Sequence, residues 1–358
     1  MKNLLENILL LMVTILLLLL VAEGLSRLFL KQTYPHILND NGEITSIQIE
    51  PGNPDAGLIS NFHGQLESGE YHIKVQLNKW GFRAIPDSEK KGKNAINVLL
   101  LGDSFMFGWG VEVTNSFGYY LKEHLQSLTH RNVHVTNLSI PGTGQFTELK
   151  NMKKFISSKP DIVICGVYLA NHLCSGNDLI DNLNARYKAN TKLSGKLEKT
   201  TDKISFLRKT RRVLKKHSNL FRFLEARIGS FALSKFSGSF KISKDEKVMQ
   251  KSWWVTDSLL CEMKNEAQLN GAKFIIQYIP NMIDVAQQNH QAFRKLQKFV
   301  DSQQMFIAPD PITLFRQKQR PFSMDRFYYL VDGHWKAGAH RLAAEAMAEF
   351  IKQKIINR

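Results

Sequence analysis

Cysteine is scarce in this chain of 358 residues, which has only Cys165, Cys174 and Cys261. So few, so irregularly spaced, exclude a disulfide-stapled scaffold, and the lack of any C-x-x-C excludes the usual paired zinc ligands. A Cys165–Cys174 bridge is compatible with an oxidising compartment, although buried free thiols are the favoured reading. Acidic residues are in deficit, 32 against 48 basic, for a formal net charge of +16. That balance favours anionic partners such as acidic lipid headgroups, acidic polysaccharide or nucleic acid. Nucleic acid is set aside because no recognised fold or stacking motif accompanies the charge. There is no internal repeat and no low-complexity tract. With 43% hydrophobic and 22% charged residues, wholesale disorder is excluded too. The length suits one large domain of roughly 250 residues with appendages, or two smaller domains.

Long apolar runs are confined to the beginning. Asn7–Ala22 carries no charge, and Leu4, Leu5, Leu25, Leu28, Phe29 and Leu30 extend it. A helix needs roughly 20 apolar residues to cross a bilayer core, and this one shows no polar stripe of the kind a core helix keeps. The run exceeds the usual signal-peptide core of roughly 7–15 residues and no A-x-A site follows, so an uncleaved anchor is expected. Lys2 on one side and Arg27 and Lys31 on the other leave the positive-inside count nearly balanced. A single-pass signal-anchor with the remaining chain extracytoplasmic, at the periplasm or cell surface, is the expected arrangement.

Residues 1–31 are therefore assigned to the anchor and 32–92 to a linker with lead-in strands, rich in turn residues such as Pro35, Asn39, Gly42, Pro51 and Pro54. Within it His72–Leu77 alternates as a short strand before Asn78–Arg83 turns. From Ile96 the pattern changes. Ile96–Leu101, Val133–Leu138, Asp161–Leu169, Lys273–Ile279 and Phe306–Ala308 read as short apolar strands. Asn115–Leu128, Gln145–Ser157, Trp254–Asn270, Val285–Ser302 and Lys336–Lys354 read as helices between and after them. Alternating strands and helices imply right-handed crossovers and a parallel sheet covered on both faces, a three-layer α/β/α fold resembling flavodoxin in topology. The alternation breaks at about 177–250, a basic and mostly helical insertion containing Arg208, Lys209, Arg211, Arg212, Lys215 and Lys216. A solvated helix face accounts for such charge; contact with anionic lipid is the alternative, worth about 1 kcal/mol per basic residue at such a surface.

Ser104 stands where the first buried strand meets its helix, in Leu101-Gly102-Asp103-Ser104-Phe105. Ligands of open α/β sheets bind at the carboxyl ends of strands, and a helix amino terminus favours developing negative charge. A serine hydroxyl needs a neighbouring base to attack; capping the following helix is the plainer role for it. Near the other end, Asp332-Gly333-His334-Trp335 offers a carboxylate able to fix the tautomer of an imidazole. Ser104, His334 and Asp332 together make a candidate nucleophile, base and orienting acid. His124, His134, His172 and His340 have no partner readable from the sequence, and Asp103 reads as a turn-stabilising group.

These residues resemble the blocks of the SGNH (GDSL-type) hydrolase superfamily over roughly residues 78–350. Gly102-Asp103-Ser104-Phe105, continued by Gly108-Trp109-Gly110-Val111 as in bacterial membrane-anchored members, matches the first block. Gly142 after the second strand matches the second, and Asp332 with His334 the last. The third block, usually G-x-N-D, reads Leu169-Ala170-Asn171-His172, with Gly176-Asn177-Asp178 a few residues on; Asn171 is preferred because it directly follows the strand. Only Gly333 separates Asp332 from His334, where many members have two residues, and Asp325 is held in reserve. The resemblance implies residues 93–358 as a hydrolase domain of the SGNH fold, with an oxyanion hole from the Ser104 and Gly142 backbone N–H groups and the Asn171 amide. It implies a serine esterase without metal or organic cofactor, acting on an acylated carbohydrate or a lipid ester. Acyl (acetyl) transfer to a polysaccharide hydroxyl uses the same residues. The departures at Leu169 and His172 leave open a catalytically degenerate membrane-tethered binding protein.

Overall fold

Leucine without a polar stripe makes the first element, α1 (Lys2–Phe29). Its stretch Leu10–Leu28, 19 residues of mean hydropathy 2.1, is long and apolar enough to cross a membrane and is almost entirely unburied in the computed structural model. The structure describes residues 2–29, 35–50, 53–86, 94–169, 218, 220–221, 246–318 and 322–357. Contacts divide the chain into two units, Met1–Pro35 with Arg186–Lys241 and His36–Ala185 with Ile242–Arg358. In the first, Glu23 of α1 pairs with Arg27 at 2.8 Å and accepts from the Ser218 hydroxyl at 2.7 Å. Apart from 218, 220–221 and 246–250 the basic insertion lies outside the described residues, as do Asn171, His172 and Cys174.

The second unit opens with strands β1 (His36–Asn39), β2 (Ile44–Thr45), β3 (Gln48–Glu50), β4 (Asn53–Leu58), β5 (His63–Glu67) and β6 (His72–Gln76). β2-β1-β5-β6 form an antiparallel sheet and β3-β4 a hairpin beside it in sequence. β6 alternates as its sequence suggests, with Ile73 and Val75 buried and His72, Lys74 and Gln76 outward. After it Asn78 folds its side-chain oxygen onto the backbone N–H groups of Trp80 and Phe82, both at 3.0 Å. That turn sends Arg83 into the interior, where it is 2% exposed.

Continuous apolar runs then build the main sheet: β7 (Ile96–Leu101), β8 (Val133–Asn137), β9 (Ile162–Val167), β10 (Lys273–Tyr278) and β11 (Phe306–Ile307). Every residue of β9 is buried, as a strand covered on both faces requires. The order is β11-β10-β9-β7-β8, and all neighbours are parallel. Numbered by first use this is 2-1-3-4-5, the flavodoxin-like doubly wound order expected from the sequence. Between the strands run α2 (Ser104–Phe107), α3 (Phe117–Thr129), α4 (Gln145–Phe155), α5 (Glu246–Leu269), α6 (Met282–Gln287) and α7 (Gln291–Ser302), and after β11 come α8 (Pro311–Lys318) and α9 (Ala337–Ile351). Right-handed crossovers put α3 on one face and α4, α5 and α7 on the other; α9 packs on α3, and α4 on α5. The result is three layers.

One expected helix is two. Gln288 takes a left-handed conformation, φ 53°, ending α6, and the Asn289 side chain accepts from the Gln291 N–H at 3.2 Å to start α7. Cys165 is a buried free thiol donating to Glu148 at 3.2 Å, and Cys261 is free as well.

Candidate active site

The turn from β7 into α2 is held from four sides. Asp103 caps α2, accepting from the Phe105 N–H at 3.0 Å, and is wholly buried. Below α2 lies Met106, also wholly buried. A Cβ at Gly102 would come within 2.5 Å of its Cγ, and one at Gly166 of β9 within 2.3 Å. Only glycine at both positions lets α2 rest this close to the sheet. Behind α2, Arg83 donates to the carbonyls of Gly108 at 2.6 Å, Val111 at 2.9 Å, Lys74 at 3.1 Å and Phe107 at 3.4 Å. Burial lowers its pKa to about 10, with Glu112 opposing, so it stays charged at neutral pH. From β8, Asn137 donates to Met106 O at 3.0 Å and accepts from Ser139 N–H at 3.0 Å. Ser104 emerges as the first residue of α2, only 8% exposed.

His334 arrives on a closed loop. Tyr329 N–H donates to His334 O at 2.9 Å and Gly333 N–H to Tyr329 O at 2.8 Å. Trp335, fully buried, anchors the loop edge-on against Phe105 and Phe315, at 5.6 and 5.7 Å between ring centroids. Phe105 also lies 4.8 Å from the imidazole, so the residue after Ser104 packs against the ring that faces Ser104.

The structure brings Ser104, His334 and Asp332 into one line. Nε2 of His334 is 2.7 Å from Ser104 Oγ, and Nδ1 is 2.9 Å from Asp332 Oδ2. A carboxylate at Nδ1 selects the tautomer with Nδ1–H, leaving Nε2 as the acceptor of the serine proton. Asp325 does not take part. It is exposed on a short turn, bonded to the Ser323 hydroxyl, which with nearby Lys336 and Arg326 holds its carboxyl below the usual range. Gly142 lies in the loop after β8, which is tied to the β7–α2 turn through Ile140 N–H and Gly102 O at 3.1 Å. Its φ of 81° favours glycine, although a Cβ would meet nothing within 4 Å. Asn171 falls outside the described residues. His124 faces Glu345 at 3.3 Å, and His340 is buried beneath Trp335.

Two residues that no motif marks complete the surroundings. Tyr71, between β5 and β6, donates its hydroxyl to Asp332 Oδ2 at 2.8 Å. Glu70 accepts from Asp332 N–H at 2.9 Å and from Val331 N–H at 3.2 Å. Burial, then the Asp332 charge, pushes the Tyr71 hydroxyl far above its ordinary value and keeps it a donor. Ser68-Gly69 marks a turn in the sequence, but nothing local says that the turn reaches position 332.

No family model matches the chain, and no curated protein matches it. Solved structures do resemble it. A psychrotrophic esterase from Pseudoalteromonas sp. is 12% identical with a TM-score of 0.41, the match covering 74% of this chain and 100% of that one. An acetyl xylan esterase from Geobacillus stearothermophilus is 13% identical with a TM-score of 0.39, over 71% and 94%. A lipase/acylhydrolase from Enterococcus faecalis is 14% identical with a TM-score of 0.40, over 72% and 96%. At such values the functional reading rests on side-chain geometry.

Proposed function

We propose that this protein is a serine ester hydrolase held at a membrane by α1, with its α/β unit on the extracytoplasmic side. The observation that carries the reading is the unbroken line from Ser104 Oγ through both ring nitrogens of His334 to Asp332, at 2.7 and 2.9 Å. These groups come from opposite ends of the chain and meet at the carboxyl edge of the sheet, where doubly wound folds bind ligands.

In this mechanism Ser104 Oγ attacks the ester carbonyl as His334 Nε2 takes its proton. Asp332 stabilises the imidazolium through Nδ1–H without itself being protonated. The carbonyl oxygen becomes an oxyanion, received by the Ser104 and Gly142 backbone N–H groups and the Asn171 amide; one such donor is worth about 3 kcal/mol. Collapse expels the alkoxide, which takes the proton from His334, and leaves an acyl-serine. Water then attacks the acyl carbon while His334 accepts its proton, releasing the acid and returning the proton to Ser104. An acylated surface polysaccharide or a lipid ester suits an enzyme of this charge and tethering.

Full-length protein in detergent should hydrolyse a short p-nitrophenyl ester and carry a fluorophosphonate probe on Ser104. Ser104→Ala should abolish both. Undiminished hydrolysis in that variant would remove the proposal.

A further inference from the structure

Asp332 Oδ2 receives two hydrogen bonds at once, from His334 Nδ1 at 2.9 Å and from the Tyr71 hydroxyl at 2.8 Å. The second donor belongs to the small antiparallel sheet, 261 residues away in sequence. Its neighbour Glu70 holds the backbone of the same loop through Val331 and Asp332. The Tyr71 ring lies 4.7 Å from that of Tyr329, whose hydroxyl donates to Gly110 O at 2.7 Å. The turn between β5 and β6 thus grips the His334 loop by backbone, side chain and ring.

We propose that Tyr71 is a positioning residue for the reaction, fixing the Asp332 carboxylate so that His334 keeps the tautomer and orientation needed to take the Ser104 proton. The proposal rests on the serine hydrolase reading. An orienting carboxylate is useful only while one oxygen faces Nδ1. A charged acceptor with a single donor swings about its last bond, and a second donor on the same oxygen stops that. Glu70 contributes differently, since it holds the backbone and donates nothing to Asp332. The antiparallel sheet is therefore part of the active site.

Tyr71→Phe removes one oxygen and keeps the ring. In full-length protein in detergent, the maximal rate of Ser104 labelling by a fluorophosphonate should fall about tenfold, the loss expected for a hydrogen bond to a charged group. The half-saturating probe concentration should stay within about twofold, and the melting temperature should hold. Combined with Asp332→Asn the loss should not multiply, because Tyr71 acts through Asp332. A wild-type rate in Tyr71→Phe overturns the proposal and leaves the hydrolase reading standing, and so does a double variant whose loss is the product of the two single losses. Loss of labelling together with a collapsed melting temperature makes Tyr71 structural and also overturns it. Wild-type protein that labels no faster than Ser104→Ala overturns both readings.

Discussion

Met106 lies so close on Gly166 that a Cβ there would sit 2.3 Å from its Cγ and 2.9 Å from its Sδ. The contact sets the height of α2, and with it the position of Ser104. Gly166→Ala should cost about 1–3 kcal/mol through overpacking, and ester hydrolysis should fall as Ser104 is lifted. Met106→Ala alone leaves a cavity and costs about 2–5 kcal/mol. Together the two should cost less than their sum, since the new methyl enters the emptied space. Urea melts of the three variants measure this, and strict additivity would show that the two residues do not press on each other.

Arg83 presents a different kind of dependence, four carbonyls served by one buried guanidinium. Arg83→Met keeps the stem but strands the carbonyls of Phe107, Gly108 and Val111 just behind Ser104. The expected loss is about 3 kcal/mol or more in urea unfolding. Arg83→Lys should recover little, because one ammonium cannot reproduce a planar fork. Wild-type stability in the lysine variant would show that the charge matters and the geometry does not.

Much of the main sheet was legible because buried parallel strands write themselves as apolar runs. Ile96–Leu101 and Lys273–Tyr278 are strands within a residue of expectation. Ser104, Asp332 and His334 were legible because each stands at the end of such a run or in a glycine-containing loop before a helix. The antiparallel sheet was legible only at His72–Leu77, since strands as short as Ile44–Thr45 carry no periodicity. Tyr71, Glu70, Asn137 and Arg83 were not legible, because much of their work lies in contacts across as many as 262 residues, which no local pattern records. The break at Gln288 was missed for a related reason: a non-glycine residue in the left-handed region gives no warning in the sequence.

Asp332 and Asp325 make opposite predictions although only seven positions apart in sequence. Asp332→Asn should lower kcat by roughly three to four orders of magnitude, because an amide beside Nδ1 favours the wrong tautomer. Asp325→Asn removes an exposed carboxylate remote from the imidazole and should change kcat by no more than about twofold. Steady-state hydrolysis of a p-nitrophenyl ester separates them, and a large effect at Asp325 would mean that the His334 loop rearranges before reacting.

His340, in the first turn of α9 and wholly buried, makes stability depend on pH. Burial, then the neighbouring His334 and Arg83 charges, lowers its pKa from 6.5 to about 3. Between those values the unfolded chain binds a proton that the folded chain refuses. The stabilisation is therefore complete above pH 6.5 and is lost progressively as pH falls toward 3. Asp257 works the other way: burial raises its pKa to about 6, so acid relieves a buried charge. Comparing variants cancels that contribution. Leucine at position 340 has no proton to bind, so in His340→Leu the fall of unfolding free energy between pH 6 and 4 should be shallower than in wild type by about 1.4 kcal/mol per pH unit. Urea melts at three pH values suffice, and parallel curves for the two proteins would mean that His340 takes up its proton without unfolding the chain.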